Sequence, residues 1–358
     1  MPDPARHPRP SAAAEAAIAH RLPKVLLHEH LDGGLRVATL FDLLRERGLA
    51  APAGDVPALA AWFEARAHAG SLVEYLRGFA LTVAAMATPE AMARVAFEAA
   101  EDARADGCVL AEFRIAPLLF EPFGVSGEAA VEALLAGLAR SPLPSGLIVC
   151  AMRHLPTDEV GRSAALALRY QGRGVVGFDL AGAEAGHPAT DHAAVLRRVQ
   201  DGGLPLTLHA GEADAGGRVL EAARLGARRI GHGVRLADLL DGPGDPAPLL
   251  AELAERRVHL EVCPTSNVHT GAAPSLAAHP IRSLARHGVS LSFHTDNRLM
   301  SCVDMSTEAL QLHREAGFGW ADLQRMGLAA AEASFLPEPV RVRARDALLA
   351  FDPADATA

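Results

Sequence analysis

Short apolar runs alternate with longer amphipathic stretches along most of the chain. Most of the runs are followed by apolar residues at helical spacing, and several of these stretches end in glycine just before the next run. The predicted strands cover residues 24–28, 109–114, 147–152, 175–180, 206–209, 229–232, 259–263 and 289–294. Eight strands that alternate with helices predict an α/β protein with a closed (β/α)8 TIM barrel.

The stretch between the first two predicted strands is too long for a simple crossover. Residues 35–107 show helical spacing in several segments, and Thr88 followed by Pro89 is a typical helix start. We expect extra helices here that cover one end of the barrel as a lid, and three further helices after Asp304. Residues 1–22 are predicted to form an N-terminal tail, disordered to about residue 10 and then helical, and residues 23–358 a single barrel domain.

Composition narrows the range of partners. The chain has 358 residues, a net charge of −9 and only 4% aromatic residues, which argues against a nucleic-acid partner. Residues 1–23 contain no apolar run long enough for a signal peptide or a membrane span. The four cysteines form no CxxC pair, as expected for reduced thiols. We therefore expect a cytoplasmic protein without a membrane partner, and the sequence leaves its oligomeric state open.

Side chains that bind metals stand at the carboxyl ends of four predicted strands. They are His28, His30, His209, His232 and Asp296. Strand residues two apart point the same way, so His28 and His30 can approach one ion while Glu29 faces elsewhere. The carboxyl ends of barrel strands meet at one rim. Imidazoles and a carboxylate on that rim predict a site for Zn²⁺ or a similar divalent ion.

Each of these strand ends also has an ordinary explanation. A lone histidine is more often a satisfied polar residue than a metal ligand. His232 between two glycines fits a turn, and Asp296 before Asn297 fits a helix cap. Packing does not explain why four strands of one barrel end in polar residues on the same rim, so the combination favours chemistry.

Six segments, taken in order, resemble the adenosine deaminase family. They cover residues 24–34, 178–184, 208–212, 229–233, 263–267 and 295–297. The resemblance extends from about residue 22 to residue 336, and residues 297–301 are similar to an actinobacterial type of adenosine deaminase. It implies a zinc-dependent enzyme of purine salvage, with one Zn²⁺ per subunit. The implied reaction converts adenosine, and 2′-deoxyadenosine, to the inosine product and ammonia.

The resemblance assigns roles to individual residues. The implied zinc ligands are His28, His30, His209 and Asp296. Glu212 matches the acid that protonates purine N1 during attack at C6, so we expect burial to raise its pKa. His232 matches the residue that orients the attacking water and assists its deprotonation, and Asp296 also holds that water.

Contacts to the nucleoside are implied at the same rim. Gly182 matches a backbone contact to the purine, Asp32 a partner of a ribose hydroxyl, and His30 also faces the substrate. Ser266 is expected behind the metal ligands. Asn297 departs from the acidic residue common in the family, and its amide can donate to purine N7 without a pKa shift. The alternatives are turn residues at Gly182 and Asp32 and a loop cap at Ser266.

Other functions stay open at this point. One is deamination of another 6-aminopurine, namely adenine, an N6-methyl nucleotide or aminodeoxyfutalosine. Asp32 favours a sugar hydroxyl over a bare base or a phosphate. A purine-binding protein without catalysis is disfavoured by the complete set of ligands. Nucleic-acid base deaminases carry other motifs, so the sequence favours a free nucleoside. Glu29 has no assigned role, and His294 is expected either to crowd the site or to pack beneath it.

Overall fold

The computed structural model describes residues 11–67 and 72–352, so the segment predicted to be disordered lies outside the described residues. Eight parallel strands pair in the order of the sequence, which confirms the predicted barrel. The strands are β1 (Lys24–His30), β2 (Cys108–Ile115), β3 (Ser145–Met152), β4 (Val175–Ala181), β5 (Leu206–Ala210), β6 (Arg229–His232), β7 (His259–Val262) and β8 (Leu291–Phe293).

The observed strand ends differ from the predicted ones by a few residues. β7 stops at Val262 because Pro264, two residues on, has no N–H for the sheet and begins a helix. β1 continues to His30, which brings both of its histidines onto a paired strand. The predicted positions of all eight strands are therefore right, and only their ends shift.

Backbone contacts beyond β8 close the barrel. The His30 amide donates to the carbonyl of Asp296 (2.8 Å), and the Asp296 amide donates to the carbonyl of His28 (2.9 Å). The amide of Leu27 has no strand partner on this side and donates to the ring Nδ1 of His294 (3.2 Å). Nε2 of His294 lies 2.6 Å from the Ser292 hydroxyl, so both ring nitrogens are engaged by β1 and β8 and the ring packs beneath the site instead of crowding it.

Helices surround the barrel, and the long stretch after β1 is helical as predicted. The helices are α1 (Ala12–Arg21), α2 (Val37–Glu46), α3 (Val56–Ala67), α4 (Leu72–Met86), α5 (Pro89–Ala105), α6 (Gly127–Leu138), α7 (Thr157–Arg169), α8 (Ala193–Asp201), α9 (Gly217–Arg224), α10 (Leu236–Leu240), α11 (Ala247–Glu255), α12 (Pro264–His269), α13 (Ile281–Arg286), α14 (Arg298–Ser301), α15 (Met305–Arg314), α16 (Trp320–Ala333) and α17 (Glu338–Leu349).

Local sequence explains how these helices begin. The Thr88 side chain accepts the Ala91 amide at the start of α5 (3.1 Å), with Pro89 as the first helical residue. α1 begins at a Ser11 cap and buries Ile18 against the rest of the molecule. In the described part of the chain, no helix combines the length and the apolar composition that crossing a bilayer requires.

The interior of the barrel is charged, whereas the layer between strands and helices is apolar. Five ionisable side chains inside the barrel are fully buried, namely Glu112, Arg114, Asp179, Arg229 and Glu261. Because buried charges are costly without partners, we expect them to be paired, and they are. Arg229 lies 2.6 Å from Glu112 and 2.5 Å from Glu261. The members of this network that lie nearest the carboxyl ends of the strands reach the functional rim.

Candidate active site

Donor atoms from four strand ends converge at the carboxyl rim of the barrel. One donor atom from each of four buried residues lies within 4.8 Å of the others, and these residues are His28, His209, His232 and Asp296. His30 is outside this set. Its Nε2 nevertheless lies 3.3 Å from Nε2 of His209 and 3.5 Å from Oδ1 of Asp296. The five residues predicted from the sequence therefore meet in one place.

Carboxylates behind the histidines fix which ring nitrogen faces the rim. Nδ1 of His28 donates to Glu261 (2.9 Å), and Nδ1 of His209 donates to Asp179 (3.1 Å). Arg114 holds both carboxylates, at 2.7 Å from Glu261 and 2.8 Å from Asp179. With the proton on Nδ1, each Nε2 has a free lone pair that points to the centre, as in metal-binding histidines.

His232 is held in the opposite tautomer. The amide nitrogen of Asn267 donates to Nδ1 of His232 (3.0 Å), so the neutral ring carries its proton on Nε2. That Nε2 lies 3.5 Å from the Glu212 carboxylate. The backbone of His232 is left-handed (φ 63°), which is uncommon outside glycine and is found at strained functional positions. His232 therefore differs chemically from the other two imidazoles.

Asp296 is also left-handed (φ 59°) and faces the cluster. Ser266 donates to its Oδ2 (2.6 Å), which places Ser266 directly behind the Asp296 carboxylate. Burial opposes ionisation, but the His28 ring, 3.3 Å away, and the other imidazoles around the carboxylate hold the pKa of Asp296 well below its usual range. The helix-cap explanation is wrong, because the residue that precedes α14 is Asn297.

The cluster fits a divalent cation. Among the described residues, Nε2 of His28 is buried without a hydrogen-bond partner, and Oδ1 of Asp296 lies 3.3 Å from it. Gly231 makes room for the rings, since a Cβ there would lie 2.9 Å from the ring of His28. Neutral imidazoles with free Nε2 atoms and an ionised carboxylate are donors that suit Zn²⁺.

Glu212 is partly buried beside the cluster. Burial, followed by the charge of Asp296, raises the pKa of Glu212 to about 7. Thr270 donates to its carboxylate (3.0 Å), which works against that rise. A carboxylic acid with this pKa is half protonated near neutral pH and can act as a general acid.

The residues implied to contact the nucleoside lie around the same rim. Gly182 has φ 87°, and a Cβ there would lie 3.0 Å from His154. Asp32 is buried, and burial raises its pKa to about 7. Asn297 is buried against the turn after β1, where a Cβ on Gly33 would overlap its side chain.

Sequence reasoning left Glu29 without a role, and the structure supplies one. Its buried carboxylate accepts from Arg298 (2.7 Å) and from Thr295 (2.9 Å). Arg298 also donates to the carbonyl of Gly34 (3.0 Å). This ion pair joins the β1 end to the segment after β8. The signal in the sequence is a charged residue between two histidines at a strand end.

Comparison with known proteins agrees with this geometry. The family model described as adenosine deaminase matches residues 23–350. Adenosine deaminases from Mycobacterium bovis and Mycobacterium tuberculosis are 44% identical over 342 residues, which is 91% of this chain and 93% of theirs. The adenosine deaminase of Mycobacterium avium is 43% identical over 358 residues, covering 95% of this chain and 97% of its own.

Solved structures show the same architecture. An apo N6-methyl-AMP deaminase from Arabidopsis thaliana aligns at 25% identity with a TM-score of 0.79, covering 95% of this chain and 99% of its own. An amidohydrolase from Burkholderia ambifaria with bound Zn aligns at 25% identity with a TM-score of 0.82, covering 96% of this chain and 94% of its own.

Fold and site together define a metal-dependent hydrolase built on a TIM barrel. Within that class, the chain belongs to the adenosine deaminase family, as the family model that matches most of the chain and its mycobacterial relatives show. It is a hydrolytic deaminase, and the predicted resemblance is confirmed.

Proposed function

We propose that this protein hydrolyses adenosine and 2′-deoxyadenosine to the corresponding inosine product and ammonia, as a cytoplasmic enzyme of purine salvage. The observation that carries the proposal is the pairing of a Glu212 carboxyl, whose pKa burial raises to about 7, with the metal-binding cluster beside it. The identity of 43–44% with mycobacterial adenosine deaminases supports adenosine as the substrate.

The ligand set that we propose for one Zn²⁺ is His28, His30, His209 and Asp296. Hydrogen bonds from Nδ1 leave Nε2 of His28 and His209 free, whereas the Asn267 contact places a proton on Nε2 of His232. His232 is therefore better suited to hydrogen bonding than to coordination, although its ring lies within the cluster. When bound, zinc lowers the pKa of water towards neutrality and so makes hydroxide available.

The remaining chemistry belongs to side chains of this protein. Glu212 donates a proton to purine N1, which makes C6 electrophilic as the oxygen of water adds to it. His232 donates a hydrogen bond from Nε2 and so orients that water, and the ionised Asp296 carboxylate takes the proton that the water loses. That proton then passes to the exocyclic amine, and the C6–N bond breaks to release ammonia. The remaining proton of the C6 hydroxyl returns to the Glu212 carboxylate, which leaves C6=O and N1–H in the product. The proton on Glu212 and a neutral His232 are both consistent with burial, which lowers the pKa of His232.

Substrate orientation is assigned to three residues around the rim. Gly182 presents its backbone to the purine, because its conformation and surroundings leave no space for a side chain. Asp32 is proposed to bind a ribose hydroxyl, and a phosphate in the same place would meet a carboxylate. Asn297 is proposed to donate to N7, and an amide does this at any pH.

Turnover of a panel of 6-aminopurines tests the proposal. We expect ammonia release from adenosine and 2′-deoxyadenosine at a kcat/KM at least about a hundredfold above that for adenine, N6-methyl-AMP and aminodeoxyfutalosine. Asp32→Ala should reduce the preference for the nucleoside over adenine, because the hydroxyl partner is lost. A higher kcat/KM for any other member of the panel would reassign the substrate.

A further inference from the structure

Glu184 contacts the catalytic turn, although no role has been assigned to it. It follows β4, two residues after Gly182, and only 6% of its surface is exposed. Its carboxylate reaches the turn after β5 and accepts four consecutive backbone amides. These are Gly211 (2.5 Å), Glu212 (3.0 Å), Ala213 (2.8 Å) and Asp214 (3.2 Å).

This arrangement determines the shape of a segment that has no regular structure. Residues 211–214 lie between β5 and α9, and Gly211 is left-handed (φ 68°). The Gly211 amide is buried and the contacts of the other three are partly buried, so each needs an acceptor, and hydrogen bonds to a carboxylate are stronger than those to a neutral group. One side chain therefore accepts the hydrogen bonds of all four backbone amides in the turn that carries Glu212.

The strand ends below this turn are held separately. Arg153 donates to the carbonyl of Leu180 on β4 (2.7 Å) and to the carbonyl of His209 on β5. These two backbone contacts do not involve Glu184, although its negative charge favours the protonated form of the buried Arg153. The Glu212 side chain has Thr270 as a hydrogen-bond partner, but that contact does not restrain the Glu212 backbone.

We propose that Glu184 is the positioning residue that places the Glu212 carboxyl against N1 of a purine lying on Gly182. Because Gly182 and Glu184 belong to one loop, the carboxylate links the backbone under the purine to the acid beside it. This inference rests on the proposed function, since it assigns Glu184 to the same reaction.

An adenosine analogue with C–H in place of N1 distinguishes a misplaced Glu212 carboxyl from general damage to the binding site. It cannot accept a proton from Glu212, so its inhibition constant reports on the rest of the site. For Glu184→Ala we expect kcat with adenosine to fall about a hundredfold, and for Glu184→Gln, which keeps one acceptor oxygen, about tenfold. The analogue should bind both variants within about threefold of wild type, with equal zinc content.

Asp106→Ala is the matched control, because Asp106 also accepts a backbone amide, that of Ser306 (3.0 Å), but far from the rim. The Asp106→Ala variant should have the same kcat with adenosine as the wild type. Equal losses in kcat and in analogue binding, or an undiminished kcat in both Glu184 variants, would overturn the inference. Wild-type enzyme without turnover of adenosine would instead contradict the proposed function, and the comparison would then use the 6-aminopurine that is turned over.

Discussion

At the scale of single residues, the environment of Glu212 determines its chemistry. The sequence predicts an acid here from the resemblance, and the structure gives the cause, which is burial next to the negative charge of Asp296. The same burial lowers the pKa of His232, so the acid keeps its proton while the imidazole stays neutral. Two neighbouring groups thus hold the protonation states that acid–base catalysis requires.

The activity should therefore decline at alkaline pH. Glu212 acts in its protonated form, so kcat/KM should be constant below pH of about 7 and then fall about tenfold per pH unit as the proton is lost. Thr270→Val should move this decline to higher pH, because the Thr270 hydrogen bond stabilises the carboxylate. Glu212→Gln should lose about a thousandfold in kcat. A wild-type rate that rises above neutral pH would contradict this role.

At the scale of elements, the ends of β1 and β8 are joined by more than backbone contacts. Glu29 stands between two proposed ligands on β1, and Arg298 begins the helix that follows Asp296. Because both proposed ligand segments meet at this ion pair, its geometry sets their separation. A second carboxylate, Asp102, accepts from Arg298 and from Arg36 and so ties this junction to α5.

Breaking the Glu29–Arg298 pair should destabilise the protein and weaken zinc binding together. Arg298→Ala leaves the buried Glu29 carboxylate without its cation, at a cost of about 3–5 kcal/mol, and the double variant should recover part of it. Glu29→Ala should cost less, because Arg298 keeps its contact with Asp102 (3.1 Å). Arg36→Ala is the control, since its more exposed pair with Asp102 should cost less than about 1 kcal/mol. Urea unfolding and chelator competition measure both effects. Single variants that behave like Arg36→Ala would show that the pair has no such role.

At the scale of the whole molecule, one ion would connect the ends of three strands. The proposed ligands come from β1, from β5 and from the segment after β8, which are far apart in the sequence. Behind them, the charged network inside the barrel ties His28 and His209 to Arg114. Binding of the metal should therefore stabilise the barrel as well as supply chemistry.

Metal removal should lower the melting temperature of the wild-type protein. Zinc at about a thousand times its dissociation constant contributes about 4 kcal/mol, which corresponds to a shift of several degrees. His209→Ala should melt at a temperature that a chelator does not change, because its site no longer holds the ion. Identical melting of the wild type with and without chelator would count against a structural contribution of the metal.

The sequence by itself determined the barrel, the rim and most of the residues on it. Strand and helix periodicity are local properties, and the carboxyl ends of parallel strands must share one edge. The motif segments then identified the family, which the comparisons confirmed. The predicted placement of His28, His30, His209, Asp296 and Ser266 agrees with where the structure puts them, although their roles remain proposals.

Only the tertiary structure decided the partners behind these residues. The contacts of Arg114 with Asp179 and Glu261 join positions 65 and 147 residues apart, and those of Glu184 span the 27–30 residues between two loops. Such pairs depend on how the strands are staggered around a closed barrel, which local patterns do not encode. The same closure fixed the tautomers of His28, His209 and His232, because each ring depends on the neighbour that folding brings to its Nδ1.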